Sequence, residues 1–232
     1  MSGRLLIVSG TGTGIGKTHL TAALLRAWTR VLSLDGLAAP EIAGLKPVES
    51  GALPDGESDA RTLEQASTFH VKRFPPPYLL VRPVSPHLAA ADEGRTLELS
   101  VIVRYVEGVR ELTHGVAVEL AGGLFSPLAP GLSNADVALA LNADAVLLVA
   151  PDRLGVLHDV GAATRAASAL GLTLAGVILI APEFADDSTG TNAAELGLVT
   201  GVPVVAVLPR AELATLALRA DIESWIRAFA CG

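Results

Sequence analysis

The chain has 232 residues, half of them apolar, and its 17 Lys+Arg against 24 Asp+Glu leave a net charge of −7. That describes one domain, 1–232, with a sizeable core. It argues against nucleic acid as a partner, because phosphate-backbone binding needs clustered basic residues and the longest basic run is Lys72-Arg73. The most apolar uncharged stretch, 166–182, is broken by Gly171 and Gly176 and falls short of the roughly 20 residues of a membrane helix, so no membrane partner is expected. A glycine-rich loop begins at residue 10, leaving no room for a secretory leader before it, and the lone Cys231 can form no internal disulfide. Both features point to the cytoplasm.

In chain order, Arg4 to Ser9 forms a short apolar run of strand length. The helix after it carries Leu20, Ala23, Leu24, Ala27, Trp28 and Val31 on one face. Further strand-length runs are expected at 42–48, 116–120, 145–150, 172–180 and 202–208, apolar on both faces as parallel strands are. Helical stripes lie between them, Leu99 to Val109 and Val156 to Leu170, and a third, Leu213 to Ile226, closes the chain. The proline-rich segment 72–85 is expected to be an ordered surface loop without regular structure. Strand and helix in alternation predict an α/β fold, a doubly wound, mostly parallel sheet with helices on both faces and ligands at the carboxyl ends of strands.

Directly after the first strand comes Gly10-Thr11-Gly12-Thr13-Gly14-Ile15-Gly16-Lys17-Thr18, and directly after that the amphipathic helix. Such glycines let successive N–H groups turn onto a phosphate, Lys17 supplies a positive charge, and the Thr18 hydroxyl suits Mg²⁺. The segment predicts a P-loop nucleoside-triphosphate site, with spacing G-x5-G-K-T, one residue longer than the common form. Glu119 ends the run 116–120 just before Gly122-Gly123, which delivers a carboxylate to the sheet edge where a metal ligand belongs. Asp59 stands at the start of a short helix, either as a first-turn acid or as a second Mg²⁺ ligand. Lys46 and Ser50 follow the second strand in Leu45-Lys46-Pro47-Val48-Glu49-Ser50-Gly51. A lysine embedded there needs an anionic partner, phosphate or substrate.

These residues resemble the dethiobiotin synthetase family. Besides the phosphate loop, Gly44 to Gly51 is similar to that family's G-x-K-P-V-x-S-G segment and Ser58-Asp59-Ala60 to its S-D-A. Pro83 to His87 with Glu93-Gly94 resembles P-x-S-P-H…E-G, and Val118 to Leu128 resembles the V-E-G-A-G-G…P-L strand end. Leu154 to His158 and Gly171 to Gly176 resemble L-G-x-x-N-H and G-L-x-x-A-G, so the likeness runs from residue 4 to about 210. The resemblance implies a P-loop NTPase fold and closure of a cyclic urea from 7,8-diaminopelargonate and CO₂ or bicarbonate, with Mg²⁺ as cofactor and ATP as co-substrate. By the same resemblance Lys17, Lys46, Ser50 and Thr13 are the catalytic residues, and Thr18, Asp59 and Glu119 are the metal positions. Nucleotide is held by Gly12, Thr13, Gly14, Ile15, Gly16, Lys17, Thr18, Glu119 and Gly122 or Gly123, with Leu208-Pro209-Arg210 near the base. A homodimer with the substrate tail at its interface, near Leu154-Gly155, is also implied. His87 and His158 are expected to be positional rather than acid–base groups.

The chain departs from the family pattern at several points. Gly12 and Gly14 stand where acids are common, Leu120 replaces a glycine and is expected to narrow the substrate site, and Leu157 replaces an asparagine. The run Ile178 to Pro182 offers no side-chain amide to read adenine, so relaxed base selectivity, with CTP or GTP used beside ATP, is expected. Three rivals remain. A partitioning-type ATPase switch ordinarily has an extra lysine where this chain has Thr11, Gly12 and Thr13. An amidating synthetase needs a catalytic cysteine domain, which Cys231 cannot supply. A dead homologue has no need of the retained Lys17, Thr18, Lys46, Ser50, Asp59 and Glu119.

Overall fold

The computed structural model describes residues 2–52, 56 and 58–231; Glu57, which precedes the Ser58-Asp59-Ala60 motif, lies outside them. Strand β1 (Arg4–Gly10) runs into the phosphate loop and helix α1 (Lys17–Leu34), and β2 (Ile42–Leu45) returns beside them. Then come β3 (Val48–Ser50), α2 (Asp59–Ala66), β4 (Tyr78–Leu80), α3 (Pro86–Asp92) and α4 (Leu99–Arg110). The second half holds β5 (Gly115–Glu119), β6 (Pro127–Ala129), β7 (Leu132–Ser133), α5 (Asn134–Ala140), β8 (Ala145–Pro151) and α6 (Val156–Ala169). It ends with β9 (Gly176–Ile180), α7 (Asn192–Thr200), β10 (Val204–Leu208), α8 (Leu213–Ala217) and α9 (Ala220–Cys231).

The six main strands form one sheet in the order β10-β9-β8-β1-β5-β2, with every neighbouring pair parallel. From β1 the chain passes to the edge strand β2, returns to β5 between them, and then adds β8, β9 and β10 on the other side of β1, so the carboxyl edge of β1 is the switch point where α/β sheets take their ligands. Successive strand residues face opposite layers. Leu5 and Ile7 of β1 join a core with α4, α5, α6 and α7, whereas Leu6 and Val8 join one with α1, α2, α8 and α9. Trp28 of α1 is fully buried in the second core, its ring edge-on to Phe229 at 5.1 Å between centroids.

Four expectations change. The run 42–48 does not continue as one strand, because Pro47 has no N–H to give the ladder; the chain leaves the sheet after Leu45, and β3 pairs instead with β4 in a separate two-stranded sheet. Segment 72–85 is not wholly irregular, since a 3₁₀ turn at Val71–Arg73 and strand β4 lie within or across it. The runs 172–180 and 202–208 are strands only over Gly176–Ile180 and Val204–Leu208. The closing helix is two, α8 and α9. Helices α3, α5 and α7 have no clear apolar stripe in the sequence, although Ser133 and Asp136 form a capping box ahead of α5 and Ser85-Pro86 starts α3.

Candidate active site

The phosphate loop leaves β1 at Gly10 and enters α1 at Lys17. Gly16 caps the helix with φ 89°, a left-handed conformation that a side chain would strain, and this turn aims the first N–H groups of α1 into the loop. Gly122, at φ 74°, performs the matching turn after β5; a Cβ there would lie 2.7 Å from Ser126 Oγ. Its loop is fixed from below by Asn134, 1% exposed, whose amide donates to the carbonyls of Ala121 and Gly123 at 2.6 and 2.8 Å. The Gly123 N–H donates to Ser126 Oγ at 2.8 Å.

Between these two turns lies a cleft of about 720 Å³. Thr13, Gly14, Gly16, Lys17, Thr18, Lys46, Ser50, Asp59, Glu119 and Gly122 all line it, so residues named from four separated segments meet there. At its floor Glu119, 1% exposed, accepts the Thr18 hydroxyl at 2.9 Å and the Lys46 ammonium at 2.7 Å, both on Oε1. Lys46 also donates to Asp59 Oδ2, so its ammonium bridges the two carboxylates. Glu119 Oε2 is buried and has no hydrogen-bond partner. Lys17 donates to the carbonyl of Gly12 at 2.6 Å, folding back on its own loop.

The electrostatics follow from burial and from these pairs. Burial lowers the Lys17 ammonium to about 8, a fall that Glu119 and Asp59 oppose and Lys46 deepens. Burial also works against charge on Lys46, but Glu119 and Asp59 outweigh it and hold its ammonium above the ordinary lysine value. For Asp59 burial would raise the carboxyl, yet Lys46, the Thr18 hydroxyl and Lys17 leave it below its ordinary value. Lys46 therefore keeps its charge between the half-exposed Asp59 and the buried Glu119, a cluster that loses heavily if one partner is removed.

Two further hollows adjoin the phosphate loop. One, about 250 Å³, is lined by Ile15, Gly16, His19, Leu20, Ile180, Leu208, Pro209, Arg210, Ala211 and Leu216. It lies beside the helix start and is largely apolar, with Ile180 in its wall and the His19 ring against the Ala211 carbonyl at 2.8 Å. The other, about 550 Å³, runs from Gly12 and Thr13 past Phe125 to His158 on α6. His87 pairs its Nδ1 with Ser85 Oγ at 2.9 Å and is not among the residues lining the main cleft. Leu120 does not narrow the substrate site: it is 2% exposed, packed in the core, and its neighbours Ala121 and Gly122 line the cleft instead. Glu49, Ser126 and Asn134 carry no signal in the sequence, where nothing distinguishes them from ordinary strand-end and loop polar residues.

Comparison with known proteins places this geometry. The family described as "AAA domain" matches residues 4–216. An ATP-dependent dethiobiotin synthetase from Anaeromyxobacter sp. (strain K) is 37% identical over 209 residues, 89% of this chain and 90% of the relative. One from Corynebacterium glutamicum (strain R) is 36% identical over 88% of this chain and 87% of its own length. The chain belongs to the dethiobiotin synthetase family. Among solved structures, a ParA family ATPase from Chlorobium tepidum TLS overlays with TM-score 0.59 at 11% identity, covering 100% of this chain and 98% of that one. The septum site-determining protein MinD from Pyrococcus horikoshii OT3, complexed with Mg-ADP, gives 0.55 at 15%, covering 99% and 95%. Those likenesses establish the P-loop NTPase fold alone. Family membership rests on the dethiobiotin synthetase relatives, and the matched family model, residues 4–216, includes the main-cleft residues of all four segments.

Proposed function

We propose that the chain is an ATP-dependent dethiobiotin synthase of biotin biosynthesis, joining 7,8-diaminopelargonate and CO₂ with release of ADP and phosphate. The observation that carries this reading is the convergence of Lys17, Lys46 and Ser50 with Asp59 and Glu119 in a single cleft behind a phosphate loop. Each step of such a reaction handles an anion. One amine takes up CO₂ as a carbamate, whose oxygen attacks the γ-phosphorus and displaces ADP. The second amine then attacks the carbonyl carbon of the mixed anhydride, and phosphate leaves as the urea ring closes.

In this reading Lys17 and the N–H groups at the start of α1 bind the β- and γ-phosphates, and Lys46 and Ser50 hold the carbamate against them. Thr13 and the main chain at Gly122 orient the substrate. Thr18, Asp59 and Glu119 are the residues that would hold Mg²⁺. They fit it, because they offer hard oxygen donors and because Glu119 Oε2 is a buried carboxylate oxygen left without a partner. Among the described residues no three His, Cys, Asp or Glu side chains cluster as a complete cage, which suits an ion that also takes phosphate and water oxygens. When bound, it neutralises charge on the transferred phosphoryl group. The cleft needs no strong general base, since a carbamate is already nucleophilic; alignment and charge carry the rate.

The base sits in the apolar pocket by Leu208-Pro209-Arg210. Without a side-chain amide there, CTP and GTP serve beside ATP. The tail of the diamine runs into the hollow toward His158, completed by a second copy of the chain. Leu154 and Phe184, 73% and 82% exposed, give that contact an apolar surface, and Asp186 ties their loops together by accepting the Leu154 N–H at 2.8 Å. No described helix is long and apolar enough to cross a membrane. The proposed site of action is the cytoplasm. The test is product identity. Purified protein given Mg-ATP, the diamine and labelled bicarbonate is expected to yield labelled dethiobiotin by mass spectrometry. Its absence with all components present refutes the assignment.

A further inference from the structure

We infer that Glu49 is a positioning residue for the cation end of the cleft, fixing Asp59 through the first turn of α2. It rests on the reading of Asp59 as a cation ligand. The family resemblance leaves this position unspecified, as the x of K-P-V-x-S-G. In an extended strand neighbouring side chains point to opposite sides. On β3, accordingly, Ser50 lines the cleft while Glu49 reaches the start of α2. The Glu49 carboxylate is 5% exposed and fully used: Oε1 accepts the Asp59 N–H at 2.7 Å and Oε2 the Ala60 N–H at 3.0 Å. Ser58 Oγ takes the next one, from Arg61, at 3.1 Å. Three successive N–H groups that a helix start otherwise leaves unpaired are thus assigned to fixed acceptors, and an anion is the favoured acceptor there.

That attachment matters because it holds the end of α2 that carries Asp59, whereas the ties to β2, from the Gly44 N–H to Ser67 Oγ and from the Ile42 N–H to Thr68 Oγ1, lie just past the other end. The helix is eight residues long and buries only Leu63 and Ala66. Its strand-side anchor is firm, since β3 pairs in register with β4, Glu49 opposite Leu79. A small rotation of the first turn would carry the Asp59 carboxylate away from Lys46 and Glu119. Glutamate suits the task where glutamine does not, because an amide would turn an NH₂ donor toward one of the two N–H groups.

Manganese binding to the full chain with a non-hydrolysable ATP analogue, read by electron paramagnetic resonance, tests this on E49A and E49Q. ADP affinity in EDTA and the melting temperature are measured alongside. E49A is expected to weaken Mn²⁺ about tenfold and E49Q about threefold, the low end of what losing a ligand's support costs, with ADP affinity in EDTA unchanged. Unchanged Mn²⁺ affinity in E49A, even with a lowered melting temperature, leaves Glu49 a stabilising residue only and overturns the inference. If E49A does not fold, E49Q decides alone: wild-type Mn²⁺ affinity in it overturns the inference equally. Absence of Mn²⁺ binding by the unaltered chain removes the reading of Asp59 and Glu119 as ligands and this inference with it.

Discussion

At one end of the cleft, the buried Lys17, Lys46 and Glu119 and the half-exposed Asp59, from separate segments, gather around Thr18. On the other side of Gly16, Ile15, Leu20, Ile180, Leu208 and Leu216 line a pocket whose polar side chains are His19 and Arg210. In the proposed reading the first end recognises charge, and its groups lose much of their value if one is deleted, while the second recognises shape and leaves hydrogen bonding to the base to main-chain atoms and two long side chains. The difference predicts a protein demanding about phosphates and cation and lenient about the base.

The largest effect should come from Lys17. Lys17→Ala is expected to lower turnover about 10³-fold and to weaken nucleotide binding as well, since one charge serves both. Calorimetry with ADP checks the second part. Lys46→Ala should cut turnover about 10²-fold with ADP affinity preserved within about threefold, because its charge faces the substrate side. It should also lower the melting temperature, as Glu119 is then buried without its cation. Equal loss of nucleotide binding in both variants would merge the two lysine roles and contradict the division drawn between them.

A third expectation concerns pH. Burial lowers the Lys17 ammonium to about 8, and in the proposed reading phosphate binds its charged form. Affinity for ADP without divalent cation is therefore full below about 8 and falls as pH rises through it, by about tenfold per unit until the bound-state value is reached. A flat profile between pH 7 and 9.5 contradicts a lysine held down by burial. The smallest effect belongs to the apolar pocket. Wild-type turnover with CTP or GTP should lie within about tenfold of that with ATP, and Ile180→Asn should shift preference between bases by about fivefold, the scale of one added polar contact. Strict use of ATP by the unaltered protein sinks the leniency of that pocket.

The charged end was the more legible in sequence because its parts are local signals. A strand, a glycine-rich loop with Lys17-Thr18 and a helix announce themselves, and Glu119 at a strand end falls on the ligand edge once the sheet is parallel. All six strands of the main sheet were visible as apolar runs, yet their ends were not. Hydrophobicity continues through Lys46-Pro47 although the ladder stops at Leu45, since pairing depends on N–H groups and apolar character does not report them. The direction of Leu120 was equally hidden, because a one-residue step in an extended chain exchanges core for cleft. Glu49 was hidden for a third reason: its partners are main-chain N–H groups 10 and 11 residues on, which no side-chain pattern encodes.

In the proposed reaction phosphoryl transfer in this cleft is coupled to ring closure, and phosphate release reads that coupling. Purified protein with Mg²⁺ and ATP, then CTP and GTP, is assayed with and without 7,8-diaminopelargonate and bicarbonate. Release requiring both additions, one phosphate for each dethiobiotin formed, is the expected result. Release indifferent to the diamine would mark a nucleotide-driven switch on the same fold and contradict it.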